Sequence, residues 1–565
     1  MQKNELYDAI VIGSGISGGW AAKELCENGL KTLVLERGRM VEHIKDYPTM
    51  NMDPWDFENR GEVSPQQAKR QEKQARSGYV HKAVSNHWFV DDIDHPYDEI
   101  KRFDWIRGYH VGGRSIMWGR QALRFSDLDF EANKKDGHGV DWPIRYKDLA
   151  KWYSKCEEFI GVAAEKMDLP QLPDGEFTPP IPLNCVEQDF RDKIEKHYSN
   201  RHLFMGRFAN LTGDKKHEGR SNCQFRNRCI RGCPFGGYFS SLSSTLPAAE
   251  RTGNMVLRPN SIVRKISFDD TTNKATGVEV IDRLTKEVTF YKAKVIFCCA
   301  STVGSTAILM NSISNRFPNG LGNDSGELGH NLMDHPFRAG ATAEVEGFDG
   351  KYYKGRTPAS FHIPRFKNLG DKESEDTSFL RGYAFQGGAS RENWQRGIAE
   401  MTYGNKLKET LLKPGPWKIG VGGFGECLPY HENRMYLNFD KLNDWGEPRV
   451  IFDAEYKENE KAMIADMQIE AEKMLKMAGY KNVEKYENPV YVGTTIHEMG
   501  TARMGRDPKT SVLGKYNQIH AVPNVFVTDG ACMTSSAYQN PSLTYMAISA
   551  RAANYAAGQV KQNKF

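Results

Sequence analysis

Three of the chain's ten cysteines fall within eleven positions: Cys223, Cys229 and Cys233, in SNCQFRNRCIRGCPFGG at 221–237. Thiolates so closely spaced can ligate a metal ion or an iron–sulfur cluster, or they can sit unligated in a crowded polar loop. A zinc site would need a fourth ligand, and His217 lies six residues upstream. The spacing, however, lacks the C-x2–4-C pairs of structural zinc sites.

A second pattern points to a nucleotide. Gly13, Gly15 and Gly18 in GSGISG have the G-x-G-x-x-G spacing. They permit a tight turn and a close backbone approach, so that a helix N-terminus meets a pyrophosphate. Glu36, closing KTLVLERG, can accept hydrogen bonds from ribose hydroxyls.

These residues need particular elements behind them. The run Tyr7–Ile12 predicts a short strand buried on both faces, GWAAKELCENG a helix stopping at Asn28-Gly29, and KTLVLERG a second strand. The result is a βαβ dinucleotide unit, which by itself does not separate FAD from NAD. KVIFCCASTVGST (294–306) and NVFVTDGA (524–531) predict two more buried strands, so one domain draws on the start, middle and end of the chain. The fold class is α/β: a discontinuous Rossmann-like nucleotide domain with an interleaved α+β substrate domain built on an antiparallel sheet. The expected division is 1–125, 236–335 and 491–565 for the nucleotide domain, with 491–565 also carrying catalytic residues; 126–235 forms a substrate and cysteine-loop segment, and 336–490 the substrate domain.

Composition excludes several classes. With 76 basic against 72 acidic residues, nothing suggests nucleic acid or an anionic membrane as partner. No apolar run reaches membrane-spanning length, and MQKNELYDAIVIGSG shows no export signal. Ten cysteines in 565 residues are too sparse for a disulfide scaffold, and Cys298 and Cys299 read as buried thiols. Residues 59–77 are polar and predict a solvated helix or arm. Met463, Met467, Met474 and Leu475, with Gly479 as the stop, form an apolar helical stripe that predicts core packing.

Four further blocks appear in order: RGYHVGGRSIMWGR (107–120), ASTVGSTAIL (300–309), HEMGTARMG (497–505) and TDGACMTSSAYQNPSLTYMAISARAA (528–553). With the N-terminal fingerprint they resemble the glucose-methanol-choline oxidoreductases, a family of FAD enzymes. The resemblance implies FAD at Gly112, Gly113, Ser115, Trp118, Ala300, Asp529, Gly530, Pro541 and Thr544 as well as at the fingerprint. It implies that His497 faces the flavin as the base and Asn540 is its partner, with His335 and His520 as rival histidines. Where pyranose oxidases carry a flavin-linking histidine this chain has Met117, so FAD is expected to be bound non-covalently.

The C-x5-C-x3-C-P spacing resembles the catalytic subunits of bacterial FAD-dependent glucose and glucoside dehydrogenases, where three cysteines ligate a [3Fe–4S] cluster. That resemblance implies a sugar or glycoside substrate, oxidation of a secondary hydroxyl with 3-keto glucoside formation favoured, and electron exit to cytochrome c or another acceptor. Arg226, Arg228 and Arg231 between the cysteines would favour the reduced cluster. It also implies a small signal-bearing partner subunit that takes the chain to the periplasm, the alternative being the cytoplasm. Oxidation at C1, a pyranose-type oxidase and a non-catalytic flavoprotein electron carrier are the competing readings.

Overall fold

The computed structural model describes residues 5–78, 80–351, 359–392 and 403–565. Its larger sheet has a parallel core of five strands in the spatial order Val522–Val527, Val288–Cys298, Leu6–Ile12, Thr32–Leu35 and Met255–Arg258. The strands predicted from the beginning, middle and end of the chain therefore lie side by side. Within them the stretches 9–12, 33–35, 295–298 and 525–527 are continuously apolar and buried because both faces are covered there. Ile10, Ile12, Leu33, Leu35 and Ile296 enter one core, while Ala9, Val11, Val34, Val295 and Phe297 enter another on the opposite side.

The second core is closed by the helices Ile16–Glu27 and Ser542–Lys561. Their alanines (Ala21, Ala22, Ala552, Ala553, Ala556 and Ala557) let helix and sheet approach closely. Val288–Cys298 does double duty. Its first half pairs antiparallel with Lys274–Asp282 and its second half parallel with Leu6–Ile12, which ties a β-hairpin to the nucleotide domain.

The second sheet is antiparallel throughout and has six strands: Lys481–Glu487, Phe337–Val345, Trp417–Gly425, Tyr383–Arg391, Phe361–Ile363 and Phe204–Met205. The helix Glu458–Met477 packs on it, and Met463, Met467, Met474 and Leu475 are fully buried there. Glycines on the facing strand make the room. A Cβ at Gly423 would meet the Met467 sulfur at 2.3 Å, and one at Gly425 the Met463 sulfur at 2.5 Å. Truncating either methionine to alanine should cost about 2–5 kcal/mol.

Residues 59–77 differ from the solvated arm the sequence predicts. They include the helices Pro65–Arg70 and Glu72–Ala75. Gln71 donates to the carbonyls of Asn86, Phe89 and Val90, and Gln74 is fully buried against Asp92 and Trp105. Two glutamine amides satisfy a stretch of irregular backbone leading into residues 107–120. A polar residue with that duty looks the same in sequence as one facing water.

No helix among the described residues is long and apolar enough to cross a membrane. All ten cysteines are free thiols, and Cys298 and Cys299 are buried.

Candidate active site

A cavity of about 510 Å³ runs from the glycine fingerprint to the edge of the antiparallel sheet. At its nucleotide end the helix Ile16–Glu27 begins at Gly15 with no side-chain cap, so its first amides stay available to an anion. The three glycines have different work. Gly13 has φ +95° and a Cβ there would strike the Cys299 carbonyl at 2.4 Å. A Cβ at Gly18 would overlap the Gly13 carbonyl oxygen at 1.9 Å, so Gly18 serves packing. A Cβ at Gly15 would meet nothing within 4 Å and would enter the cavity, the space a pyrophosphate needs.

Glu36 is buried at the same end. Its Oε2 accepts from Ser14 Oγ at 2.7 Å and Ser14 N at 3.2 Å, and its Oε1 accepts from Gly38 N at 2.9 Å. Burial pushes this carboxyl up, against the hydrogen bonds that hold it ionised. Residues 107–120 face the fingerprint from across the cavity, and Gly113, with φ +50°, lies against Gly15. Ser115 Oγ accepts from Ser241 N at 3.0 Å, and Trp118 donates to the Phe239 carbonyl at 2.8 Å. Gly113, Ser115, Met117 and Trp118 line the cavity, while Gly112 backs onto Leu242.

Ala300, Asp529 and Gly530 also line it. Asp529 accepts from Ala531 N at 3.0 Å and from the Ser305 hydroxyl, and burial lifts its carboxyl to about 6. Pro541 caps the last helix. Thr544 is buried on the far side, its hydroxyl 2.9 Å from Tyr153 Oη, and Ser542 and Tyr545 line the cavity instead. The buried Tyr545 hydroxyl has no hydrogen-bond partner, an orphan that suits a polar ligand. The uncapped helix, the open Gly15 and this hydroxyl fit FAD, which when bound supplies the hydride acceptor.

At the other end, the cavity brings together His497 and Asn540. The loop bearing His497 is fixed by Asp334, which accepts from the amides of Gly493 (2.8 Å), Thr495 (3.0 Å) and His497 (3.1 Å). Burial, then His335 and Arg114, hold the His497 imidazole well below the usual histidine range, so it is neutral at neutral pH. A neutral imidazole can take an alcohol proton. Asn540 Oδ1 accepts from Gln386 Nε2 at 2.8 Å, which leaves the Asn540 amide N–H groups to face a substrate oxygen. Of the rival histidines, His520 bonds to Ser511 at 3.0 Å and does not line the cavity. His335 is fully buried behind His497.

Sequence reasoning missed the wall supplied by the antiparallel sheet. Gln121, Ser360, Gln386 and Phe424 all line the cavity. Phe424 packs 5.7 Å from the His497 ring and 5.2 Å from the His335 ring, centroid to centroid. Nothing in a glycine-rich stretch such as FQGGAS announces that its glutamine turns toward Asn540, far along the chain.

Cys223, Cys229 and Cys233 line one small cavity together. Cys223 Sγ accepts from Asn210 Nδ2 at 3.7 Å and Cys233 Sγ from Gly237 N at 3.4 Å, contacts that suit thiolates. Among the described residues, no three His, Cys, Asp or Glu side chains are gathered tightly enough for a single metal ion. His217 faces the Phe159 carbonyl at 3.3 Å and is not part of that wall, so the zinc reading fails. In a multi-iron cluster each thiolate binds a different iron, which asks for a wider spread of sulfurs. As donors the three thiols suit such a group; the cavity they line, about 20 Å³, is too small to hold one in this arrangement of the loop.

The interleaved arginines do not serve the thiols as the sequence suggests. Arg228 pairs with Asp53 at 2.6 Å, Arg226 donates to the Met50 carbonyl at 3.0 Å and Arg231 to the Met52 carbonyl at 2.7 Å. They pin the 49–53 segment. Burial pushes the Cys223 and Cys229 thiols up, and the positive charge that opposes this comes from Arg120. Its buried guanidinium lies 4.6 Å from the Tyr238 ring centroid, with Nε and Nη1 unpartnered.

Comparison with known proteins gives the lineage. The chain is 25% identical to the fructose dehydrogenase large subunit of Gluconobacter japonicus over 98% of both chains. It is 26% identical to the 2-methyl-1,2-propanediol dehydrogenase of Mycolicibacterium austroafricanum over 97% of this chain and 94% of that one. A formate oxidase variant of Aspergillus oryzae shares the fold, with TM-score 0.62 at 13% identity over all of both chains. Family models described as GMC oxidoreductase match residues 7–337 and 429–549, and with the fingerprint, the cavity and the His497–Asn540 pair in place the chain belongs to the GMC oxidoreductases, enzymes built around FAD.

Proposed function

We propose that the protein is an FAD-dependent dehydrogenase that oxidises a secondary hydroxyl of a sugar or glycoside. Formation of a 3-keto glucoside is the favoured outcome. The observation that carries the reading is the meeting of His497 and Asn540 in one cavity with the glycine fingerprint. His497 takes the hydroxyl proton and Asn540 holds the same oxygen by hydrogen bonding, while the hydride leaves the carbon for the flavin. The cavity's polar wall of Gln121, Ser360, Gln386 and Asn540 suits a polyol more than a simple alcohol. The full-length similarity to a fructose dehydrogenase large subunit supports a sugar.

Electron exit through a [3Fe–4S] cluster at Cys223, Cys229 and Cys233 belongs to the same proposal, and supports a dehydrogenase over an oxidase. Its acceptor is cytochrome c or a similar one-electron carrier. That relative is a "large subunit" by name, which supports a small partner subunit for this chain, and with it periplasmic delivery as a folded passenger. FAD is held without a covalent bond, since Met117 stands where a histidine would link it.

The deciding experiment is an anaerobic panel of sugars and glycosides with an artificial acceptor, followed by NMR of the product. A 3-keto glucoside is the expected product. A lactone would move the reaction to C1, and peroxide formation in air at a matching rate would make the protein an oxidase.

A further inference from the structure

A row of amides runs along the sheet side of the cavity, and the reaction as described uses only its last member. Gln121, Gln386 and Asn540 all line the cavity. Gln121 Nε2 donates one N–H to Ser360 Oγ at 3.2 Å and the other to Gln386 Oε1 at 3.4 Å. Gln386 Nε2 in turn donates to Asn540 Oδ1 at 2.8 Å. Both links run from nitrogen to oxygen, so the row has a direction. It starts at Gln121 and leaves the Asn540 N–H groups to the cavity.

The first two members are firmly mounted. The Gln121 backbone is clamped on either side, where Ala122 N donates to the Arg207 carbonyl at 2.8 Å and Ala209 N to the Arg120 carbonyl at 2.9 Å. Gln386 sits inside a strand paired on both edges, opposite His362 on one side and Gly422 on the other. The Gln121 side-chain oxygen is buried without a hydrogen-bond partner beside Gly206, where a Cβ would come within 3.0 Å of it. Turning the Gln121 amide over would set its oxygen against the Gln386 oxygen, two acceptors with no proton between them. Gln386 would then have to turn as well, and the Asn540 amide after it. The three change direction together or not at all.

We propose that Gln121 is a positioning residue: through Gln386 it fixes the Asn540 amide with its N–H groups, rather than its oxygen, toward the substrate. The inference rests on the reading that Asn540 holds the hydroxyl being oxidised. In the step it serves, the substrate O–H bond breaks and its proton goes to His497. The C–H electron pair leaves as hydride to oxidised FAD, and a C=O bond forms. The oxygen gains negative charge as its proton departs, so an N–H beside it stabilises the step and a carbonyl oxygen does not.

The test replaces Gln121 with two side chains of about its size in the FAD-loaded enzyme. Ionised, the side chain in Gln121→Glu offers only oxygens. Gln386 must then present its nitrogen to it and its oxygen to Asn540, which turns the Asn540 oxygen to the substrate. Gln121→Met ends the row without reversing it. Substrate-driven flavin reduction should slow about 2–10-fold in Gln121→Met, the worth of one neutral hydrogen bond. In Gln121→Glu it should slow at least as much as in Asn540→Ala. Both losses should fall on the limiting rate rather than on substrate affinity. With the row cut by Gln386→Ala, Gln121→Glu should cost less than about 2-fold.

Wild-type rates in both Gln121 variants overturn the proposal. So does a Gln121→Glu loss that is as large with Gln386→Ala as without it, which would be the effect of the new charge alone. Should a variant lose its flavin, neutron diffraction of the deuterium-exchanged wild-type enzyme still decides. Deuterium should sit on the Gln386 nitrogen that faces Asn540, and Asn540 should present deuterium to the cavity; an Asn540 oxygen facing the cavity refutes the proposal. If the deuterium positions are as stated but Asn540→Ala reduces flavin at the wild-type rate, the reading of Asn540 as the substrate's holder has failed and the direction of the row stands.

Discussion

Gln386 donates to Asn540 across 2.8 Å, from the middle of an antiparallel strand to the residue just before the cap of the last helix. The bond fixes which way the Asn540 amide faces. Its oxygen is occupied, so it meets the substrate as a donor. Replacing Asn540 with alanine should lower the flavin-reduction rate less than loss of His497 does, because it orients and moves no proton. Gln386→Ala should have a smaller effect of the same kind. Their effects should not add: in the double variant, the Gln386 change should cost close to nothing, and full additivity would show that the two amides act separately.

His497→Ala should keep FAD and lose turnover by roughly 10²–10⁴ or more, the range for a positioned base. The wild-type pH profile carries a second check. The folded imidazole titrates well below the ordinary 6.5, so the neutral, competent form persists as pH falls through 6.5. The acid limb of kcat/KM should therefore lie below pH 6.5, and a limb centred at or above that value would contradict the buried base.

Two fingerprint glycines should fail in different ways. Gly15→Ala adds a methyl that touches no protein atom, so the apoprotein should fold with unchanged thermal stability and bind FAD poorly. Gly18→Ala drives a methyl into the Gly13 carbonyl and should destabilise the apoprotein itself. Thermal melts of the two apoproteins beside flavin absorbance of the purified proteins separate these outcomes.

Much of this was legible in the sequence. The parallel strands carry short continuous apolar runs such as 9–12 and 295–298, a local pattern, and the fingerprint and the methionine stripe are local signals too. An antiparallel sheet was expected for the substrate domain, but which of its residues form the cavity wall was not legible. Strands such as YAFQGGASR and WKIGVGGFG are rich in glycine, which removes the alternation that marks a strand, and their glycines make sense only against Met463 and Met467 in a distant helix. Arg120 escaped notice for a similar reason. It sits in the flavin-facing segment, and only folding turns it toward cysteines a hundred residues on.

Acid precipitation should release FAD into the supernatant, because the Met117 thioether lines the cavity and offers no nitrogen for a flavin bond. Flavin fluorescence retained in the pellet would point to another attachment residue.

Arg120 is the buried cation whose charge acts on the thiols, so, on the proposal that the three cysteines hold a cluster, that charge should matter for loading iron. Arg120→Gln should lower iron per flavin several-fold while Arg120→Lys retains it, measured by metal analysis on protein purified without oxygen. Unchanged iron in Arg120→Gln would assign the arginine to packing against Tyr238.

The placing of Val522–Val527 beside Val288–Cys298 has a consequence for biosynthesis. A ribosome makes the fingerprint more than five hundred residues before the strand that ends at Val527. The nascent chain must keep the apolar edge left at Val288–Cys298 from pairing with other chains until Val522–Val527 emerges. Asp529, Asn540 and Tyr545 follow that strand, so the flavin pocket closes late in synthesis, and cofactor supply at that stage bears on how much of the chain reaches its native state.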